Sequence, residues 1–196
     1  MIESMNMTAN PRLLKDVLTQ YKSTFYALKE LIDNSIQAKA KTIELNLIPS
    51  SCDKDSILYH PIDKIEVKDN GEGVPFSLFK DSIMQIATEN KTEGQGVGRF
   101  GALQLGREMR IDTTGYDTSI SKYTRTSIVL TAENILSSKD LQEVKFPVDK
   151  EVLETKKESG YKVTITDLYQ NREEKIKKKN KLSSEFNSLE NFKQAI

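Results

Sequence analysis

The sequence predicts an α+β sandwich, helices layered against a mainly antiparallel sheet, and three observations predict it. Helical periodicity dominates residues 11–37 and period-two segments dominate the second half, so helices and strands are segregated rather than alternating. The β-rich segments follow one another with turn-like breaks, as antiparallel neighbours do. At 196 residues the chain is long enough for a single proper core without disulfide staples.

Taken in order, Asn10 and Pro11 read as a cap and a first-turn proline that open a helix over "PRLLKDVLTQY", and Ser23 reads as the cap of a second helix. In that second helix Tyr21, Phe25, Leu28, Ile32 and Ile36 form the apolar stripe expected to face the core. "KTIELNLI" alternates Ile43, Leu45 and Leu47 with polar residues, and "KIEVKDNGEG" repeats the pattern with Ile65 and Val67 before glycines break it. Between them, Pro49 to Asp63 reads as a polar excursion. "FSLFKDSIMQIA" after Pro75 is helical in period, "TENKTEGQGVG" has the composition of a mobile loop, and "EMRIDTTG", "KYTRTSIVLTA" and "GYKVTITDL" read as strands. A domain over residues 1–170 is expected, followed by a charged segment, 171–196, in which Leu182, Phe186, Leu189 and Phe192 keep helical spacing. That stripe needs a partner: this domain, a second copy, or a following domain.

Composition narrows the function classes. Lys plus Arg and Asp plus Glu are equal at 29 each, so no global field draws the chain to nucleic acid or to an anionic membrane. The lysines from Lys177 to Lys181 read as a solvated helical face. One cysteine, Cys52, and one histidine, His60, exclude a disulfide framework and a zinc site of the usual kind, and suit a reducing compartment. No apolar run approaches the ~18 residues of a membrane span, and the first ten residues lack a signal-peptide pattern. A cytoplasmic protein is expected.

Three features carry chemistry. Glu30, Asn34 and Gln37 stack four and three residues apart on one side of the second helix, a column that taken alone reads first as a solvated polar face, as most polar columns on helices are. In "VKDNGEGVP" a strand delivers Asp69 and the chain turns at once through Gly71 and Gly73; a carboxylate there can accept from an exocyclic amine, and glycines let a flat ligand approach, although the pattern is also a common turn. In "GQGVGRFG", Gly94, Gly96, Gly98 and Gly101 precede the apolar "ALQL", where exposed backbone amides at a helix start favour a phosphate.

In this order the three resemble the motifs of the GHKL ATPase superfamily, named for gyrase B, the large heat-shock chaperone, sensor histidine kinases and MutL, and joined by the microrchidia ATPases. "ELIDNSIQA" is similar to the N-box, "DNGEGVP" to the D-x-G-x-G box, "GVGRFG" to the glycine motif that closes the ATP lid, and "SGYKVTITDL" to the G-T-x-V-x-I strand. The style is closest to the chaperone, MutL and microrchidia branches, over roughly residues 11–170. The resemblance implies a Bergerat-type two-layer sandwich, its mixed, mostly antiparallel sheet carrying helices on one face and an ATP lid. It also implies ATP and Mg²⁺ as cofactors.

By the same resemblance, Glu30 aligns and deprotonates the attacking water, and Asn34 offers its side-chain oxygen to Mg²⁺ at the phosphates. Asp69 accepts from the adenine amino group, with Gly71 and Gly73 beneath the base and Val74 packed on its face. Gly94, Gly96, Gly98, Arg99, Phe100 and Gly101 belong to the phosphate loop. Asp33 turns elsewhere, toward a structural hydrogen bond, and Gln37 has no catalytic role. Two departures stand out. Ala102, Leu103, Gln104 and Leu105 follow the loop where the family usually has a further glycine and a lysine, and Tyr161 replaces the strand threonine that commonly joins the aspartate. Slow ATP hydrolysis within a larger protein is the expected function; ATP sensing without turnover and histidine-kinase-type phosphotransfer are the alternatives. ATP or ADP, and a homodimer or downstream domain engaged by the C-terminal helix, are the expected partners.

Overall fold

The computed structural model describes residues 1–7, 24–49, 62–85, 98–137, 144–155 and 158–169. Among these residues seven strands form one sheet: β1 (Ile2–Asn6), β2 (Ile43–Pro49), β3 (Ile62–Asp69), β4 (Gly106–Asp117), β5 (Lys122–Thr131), β6 (Lys145–Leu153) and β7 (Gly160–Leu168). They lie in the order β1-β6-β5-β4-β7-β3-β2, and all the pairings are antiparallel. The helical elements are α1 (Thr24–Gln37), α2 (Phe76–Phe79) running into a π-turn (Lys80–Met84), a 3₁₀ segment (Gly98–Gln104) and α3 (Ala132–Ser137).

Strand alternation decides which face carries them. Ile65, Val67, Met109, Ile111, Ile128, Leu130, Val148, Val163 and Ile165 are buried and share a core with Leu28 and Leu31 of α1, Phe79, Ile83, Met84 and Phe100. Intervening residues on the other face are polar and ion-paired: Arg110 with Asp112 along β4 at 3.0 Å, Arg125 with Glu151 across β5 and β6 at 3.0 Å. One buried face and one solvated face make the α+β sandwich that the sequence predicts.

Several elements differ from the sequence reading. The expected apolar stripe of α1 is displaced: Ala27, Leu28, Leu31 and Ser35 are buried, whereas Phe25 and Ile36 are 45% and 60% exposed. The face that turns inward, Ala27, Leu28, Leu31 and Ser35, is the one that packs on the 3₁₀ segment and the sheet. Strands β1 and β6 have no counterpart in the reading. They pair with each other, Met5 opposite Phe146, and Pro147 falls where β6 has run past its partners in β5 and lies beside Ser4 of β1 alone. The apparent excursion after Pro49 ends sooner than expected, since Ile62 and Asp63 already belong to β3. The expected helix over 11–21, its neighbour's Ser23 cap, the loop from Thr88 to Val97, Cys52, His60 and the segment 171–196 lie outside the described residues.

Candidate functional site

The site forms where the C-terminal end of α1 meets the C-terminal end of β3. Helix α1 stops as Lys39 takes the left-handed region at φ 58°, and the Ala38 N–H donates to the Asn34 carbonyl at 3.0 Å. The turn after Asp69 is then tied to that helix end. Asn70 Oδ1 accepts from the backbone of Lys41 at 2.9 Å and Thr42 at 2.8 Å, and the Glu72 N–H donates to the Ala38 carbonyl at 3.0 Å. These bonds fix the polar column of α1 relative to the strand that carries Asp69.

Asp69 is 5% exposed, with both carboxylate oxygens engaged. The Ser35 hydroxyl donates to Oδ2 at 2.7 Å, and the Gly71 N–H donates to Oδ1 at 2.8 Å. A buried carboxylate held this way has lone pairs left to accept from a ligand's amine and is locked in direction while it does so. Ser35 is a residue of the candidate site that the sequence reading missed. The available signal was its spacing, since it continues the buried i, i+3, i+7 series of Leu28 and Leu31 as the one polar member.

The glycines of this turn answer first to the protein itself. A Cβ on Gly71 would lie 2.6 Å from the Ala38 carbonyl oxygen; Gly73 sits at φ +66°, and a Cβ there would lie 2.0 Å from the Thr114 carbonyl oxygen. Thr113 completes the support. Its buried hydroxyl oxygen accepts from the Val74 N–H at 2.8 Å, and its own proton points to the Gly160 carbonyl at 3.2 Å, which joins β4, the turn and the start of β7. Ser159 adds a hydrogen bond to the Gly71 carbonyl at 2.7 Å.

A cavity of about 160 Å³ opens above Asp69, lined by Asn34, Ala38, Asp69, Gly73, Val74, Ser82, Ile83, Arg99 and Tyr161. Six residues expected at a nucleotide site therefore meet around one space: Asn34, Asp69, Gly73, Val74, Arg99 and Tyr161. Ser82 and Ile83 join them from the π-turn, a local geometry that recurs at functional sites. Glu30, one turn before Asn34, is half-buried and lies against Gly98, where a Cβ would come within 2.2 Å of its Oε2. Gln37 is exposed and Asp33 pairs with Lys29, so the column divides into a half-buried part at the site and a solvated remainder.

Other residues of the expected phosphate loop lie elsewhere. Phe100 is fully buried in the core and Gly101 is buried beside it, while Gly94 and Gly96 lie outside the described residues. The departure after the loop has a structural account: Ala102, Leu103, Gln104 and Leu105 are at most 6% exposed, so this stretch packs beneath the site rather than reaching over it. Tyr161 is the register partner of Asp69 and points to the same face. Burial pushes its hydroxyl up to about 12, only partly offset by the positive charge of the nearby Arg99 guanidinium.

No cluster of three His, Cys, Asp or Glu side chains stands together among the described residues. The donors near the cavity are one amide oxygen, on Asn34, and the Glu30 carboxylate. Such a set suits Mg²⁺ that keeps waters and takes further ligands from phosphates, rather than a resident metal in a protein cage. No helix among the described residues is long and apolar enough to cross a membrane.

Comparison with known proteins agrees with this geometry. A family model described as histidine kinase-, DNA gyrase B- and HSP90-like ATPase matches residues 21–160. No curated protein matches the chain. The match spans most of the chain, from α1 through the start of β7, and takes in the Asn34 helix, the Asp69 turn and the Gly98 segment in order. The chain belongs to the histidine kinase-, DNA gyrase B- and HSP90-like ATPases, the GHKL family.

Proposed function

We propose that the chain binds MgATP in the Asp69 cavity and hydrolyses it slowly, as the nucleotide-binding module of a larger protein. The observation that carries this reading is the convergence of Asn34, Asp69 and Arg99 on one cavity, with Glu30 a single turn from Asn34 and against Gly98. Asp69, oriented by Ser35 and Gly71, accepts from the adenine amine; Val74 and Ile83 supply apolar walls. Asn34 offers its side-chain oxygen to the metal that travels with the phosphates, which neutralises charge on the transferring group.

Glu30 takes a proton from the attacking water as the water oxygen bonds to the γ-phosphorus, and the bond to the bridging oxygen breaks with its electron pair leaving on ADP. Lid closure over the phosphates, as the family resemblance implies, is what a following domain or a second copy reads. In this proposal residues 1–170 are the nucleotide-binding domain and 171–196 lead to the partner.

A second reading, ATP sensing without turnover, draws support from Leu103, buried where relatives place a more polar segment, and from Tyr161 inside the cavity. Phosphate release separates the two. Glu30→Ala should retain ATP binding and lose about 10²–10⁴ in turnover, the usual worth of a positioned base. Turnover equal to wild type in that variant would remove the assignment of base, and a wild-type rate at background with tight ATP binding would favour the sensor.

A further inference from the structure

Asn70 follows Asp69 directly, yet it is not among the residues that line the Asp69 cavity. It is exposed and opens on the solvated side of the sheet, beside Thr42 and Lys68. Its side-chain oxygen is nonetheless committed, because Oδ1 accepts from two successive backbone N–H groups, those of Lys41 and Thr42, just past the end of α1. Two further contacts join the same turn to that helix end. The Glu72 N–H donates to the Ala38 carbonyl at 3.0 Å, and Gly71 packs so closely that a Cβ would lie 2.6 Å from the same oxygen. The Ala38 N–H donates in turn to the Asn34 carbonyl. The gripped residues therefore end the turn of helix that carries Asn34, and Glu30 lies one turn earlier, about 6 Å farther along the axis. The Asp69 turn itself is anchored elsewhere. Ser159 donates to the Gly71 carbonyl at 2.7 Å and Thr113 accepts from the Val74 N–H at 2.8 Å, which ties the turn to the start of β7 and to β4. Loss of the Asn70 carboxamide leaves the turn on the sheet and loosens the helix end.

We infer that Asn70 is a positioning residue: it sets the distance between Asp69 on β3 and the Asn34 and Glu30 side chains on α1, and thereby how strongly a phosphorylated nucleotide is preferred to a bare nucleoside. The inference rests on the MgATP reading above and adds to it a residue outside the cavity. A nucleoside that engages Asp69 alone moves with the sheet and is indifferent to a small shift of α1. A nucleotide that bridges both halves has to satisfy the base contact and the metal and phosphate contacts in one geometry, and a displacement of about an ångström spoils that match. The Ser35 hydroxyl, also on α1, follows Asp69 by rotating about its Cα–Cβ bond. Asparagine suits the role because one amide oxygen with two lone pairs takes both N–H groups at once. Alanine would leave the two groups to water, which satisfies them at this exposed position without fixing their direction.

The 196-residue chain tests this as wild type, Asn70→Ala, Asn70→Gln and Asn70→Asp, each titrated by NMR with adenosine and with Mg²⁺ plus a non-hydrolysable ATP analogue. Asn70→Ala should bind adenosine within about twofold of wild type, whereas its affinity for the Mg²⁺-bound analogue falls about tenfold and phosphate release from ATP about 10–100-fold. Asn70→Gln, which displaces the oxygen by one methylene, should show the same selective loss to a smaller degree. Asn70→Asp keeps an oxygen that accepts from the same two N–H groups and should recover most of the analogue affinity. Amide exchange at Lys41 and Thr42 should rise in Asn70→Ala and stay slow in Asn70→Asp. Equal losses for adenosine and the analogue would reduce Asn70 to a stability role and overturn the inference, as would wild-type analogue affinity in both Asn70→Ala and Asn70→Gln. A wild-type chain that binds neither adenosine nor the analogue would overturn the MgATP reading itself, and the positioning role with it.

Discussion

Gly98 and Glu30 meet backbone to carboxylate: a Cβ on Gly98 would lie 2.2 Å from Glu30 Oε2 and 3.0 Å from its Cδ. The obstructed atoms are the far end of a flexible side chain, so Gly98→Ala can be accommodated by swinging the carboxylate away. Thermal stability should change by less than about 1 kcal/mol. ATP turnover should fall at least tenfold, because a base moved by about an ångström loses its alignment with the water. Paired unfolding and phosphate-release measurements check this; a folded variant with wild-type turnover would mean that the Glu30 orientation seen here is not the working one.

Gly73→Ala should behave in the opposite way. The left-handed φ of +66° and the 2.0 Å approach to the Thr114 carbonyl oxygen involve backbone on both sides, and neither can swing aside. A loss of about 2–4 kcal/mol is expected in denaturant unfolding, typical of strain at a special backbone position. An unfolding midpoint within error of wild type would contradict the turn geometry.

Ser35→Ala tests the residue that orients Asp69. The hydroxyl donates to a buried carboxylate, a bond worth about 1.5–3 kcal/mol. Both stability and ATP affinity should drop in this variant, whereas Ser35→Thr, which keeps the hydroxyl, should restore part of each. Loss of stability with unchanged affinity would show that Asp69 needs no help from α1 to bind its ligand.

The alkaline limb of stability carries the signature of Tyr161. Its folded pKa is raised from 10.0 to about 12 by burial, so between those values the folded chain keeps a proton that the unfolded chain has released. Stability from this group is complete below pH 10 and is lost as pH rises toward 12, by up to about 2–3 kcal/mol for a shift of this size. Unfolding followed from pH 9 to 12 should therefore fall less steeply in Tyr161→Phe. Identical slopes for the two proteins would place the hydroxyl in solvent.

Local pattern made much of this legible. Alternation along Ile43–Leu47 and Ile65–Asp69, and along the two long strands after Gly106, marks half-buried strands because the period of two is set by the backbone alone. The column of Glu30 and Asn34 and the turn after Asp69 were legible for the same reason: fixed short spacing brings their side chains together. The hidden features depend on contacts distant in sequence. β1 exists because β6 lies beside it, and Pro147 disguises β6 as a break. The true buried face of α1 depends on its packing against the 3₁₀ segment and the sheet, contacts distant in sequence, which bury Ala27, Leu28, Leu31 and Ser35 and leave Phe25 outside. Arg99 and Tyr161, which line one cavity, are far apart in the sequence, and no spacing rule announces their meeting.

The measurement that bears most directly on the central claim, that Asp69 reads the base of a bound nucleotide, is calorimetric titration of MgATP into the wild-type chain and Asp69→Ala, with unfolding curves to show that both are folded. Removing a hydrogen bond to a charged group costs about 1.5–3 kcal/mol, so the wild type should bind and the variant should bind at least tenfold more weakly. A folded Asp69→Ala protein that binds MgATP with unchanged affinity would contradict the account.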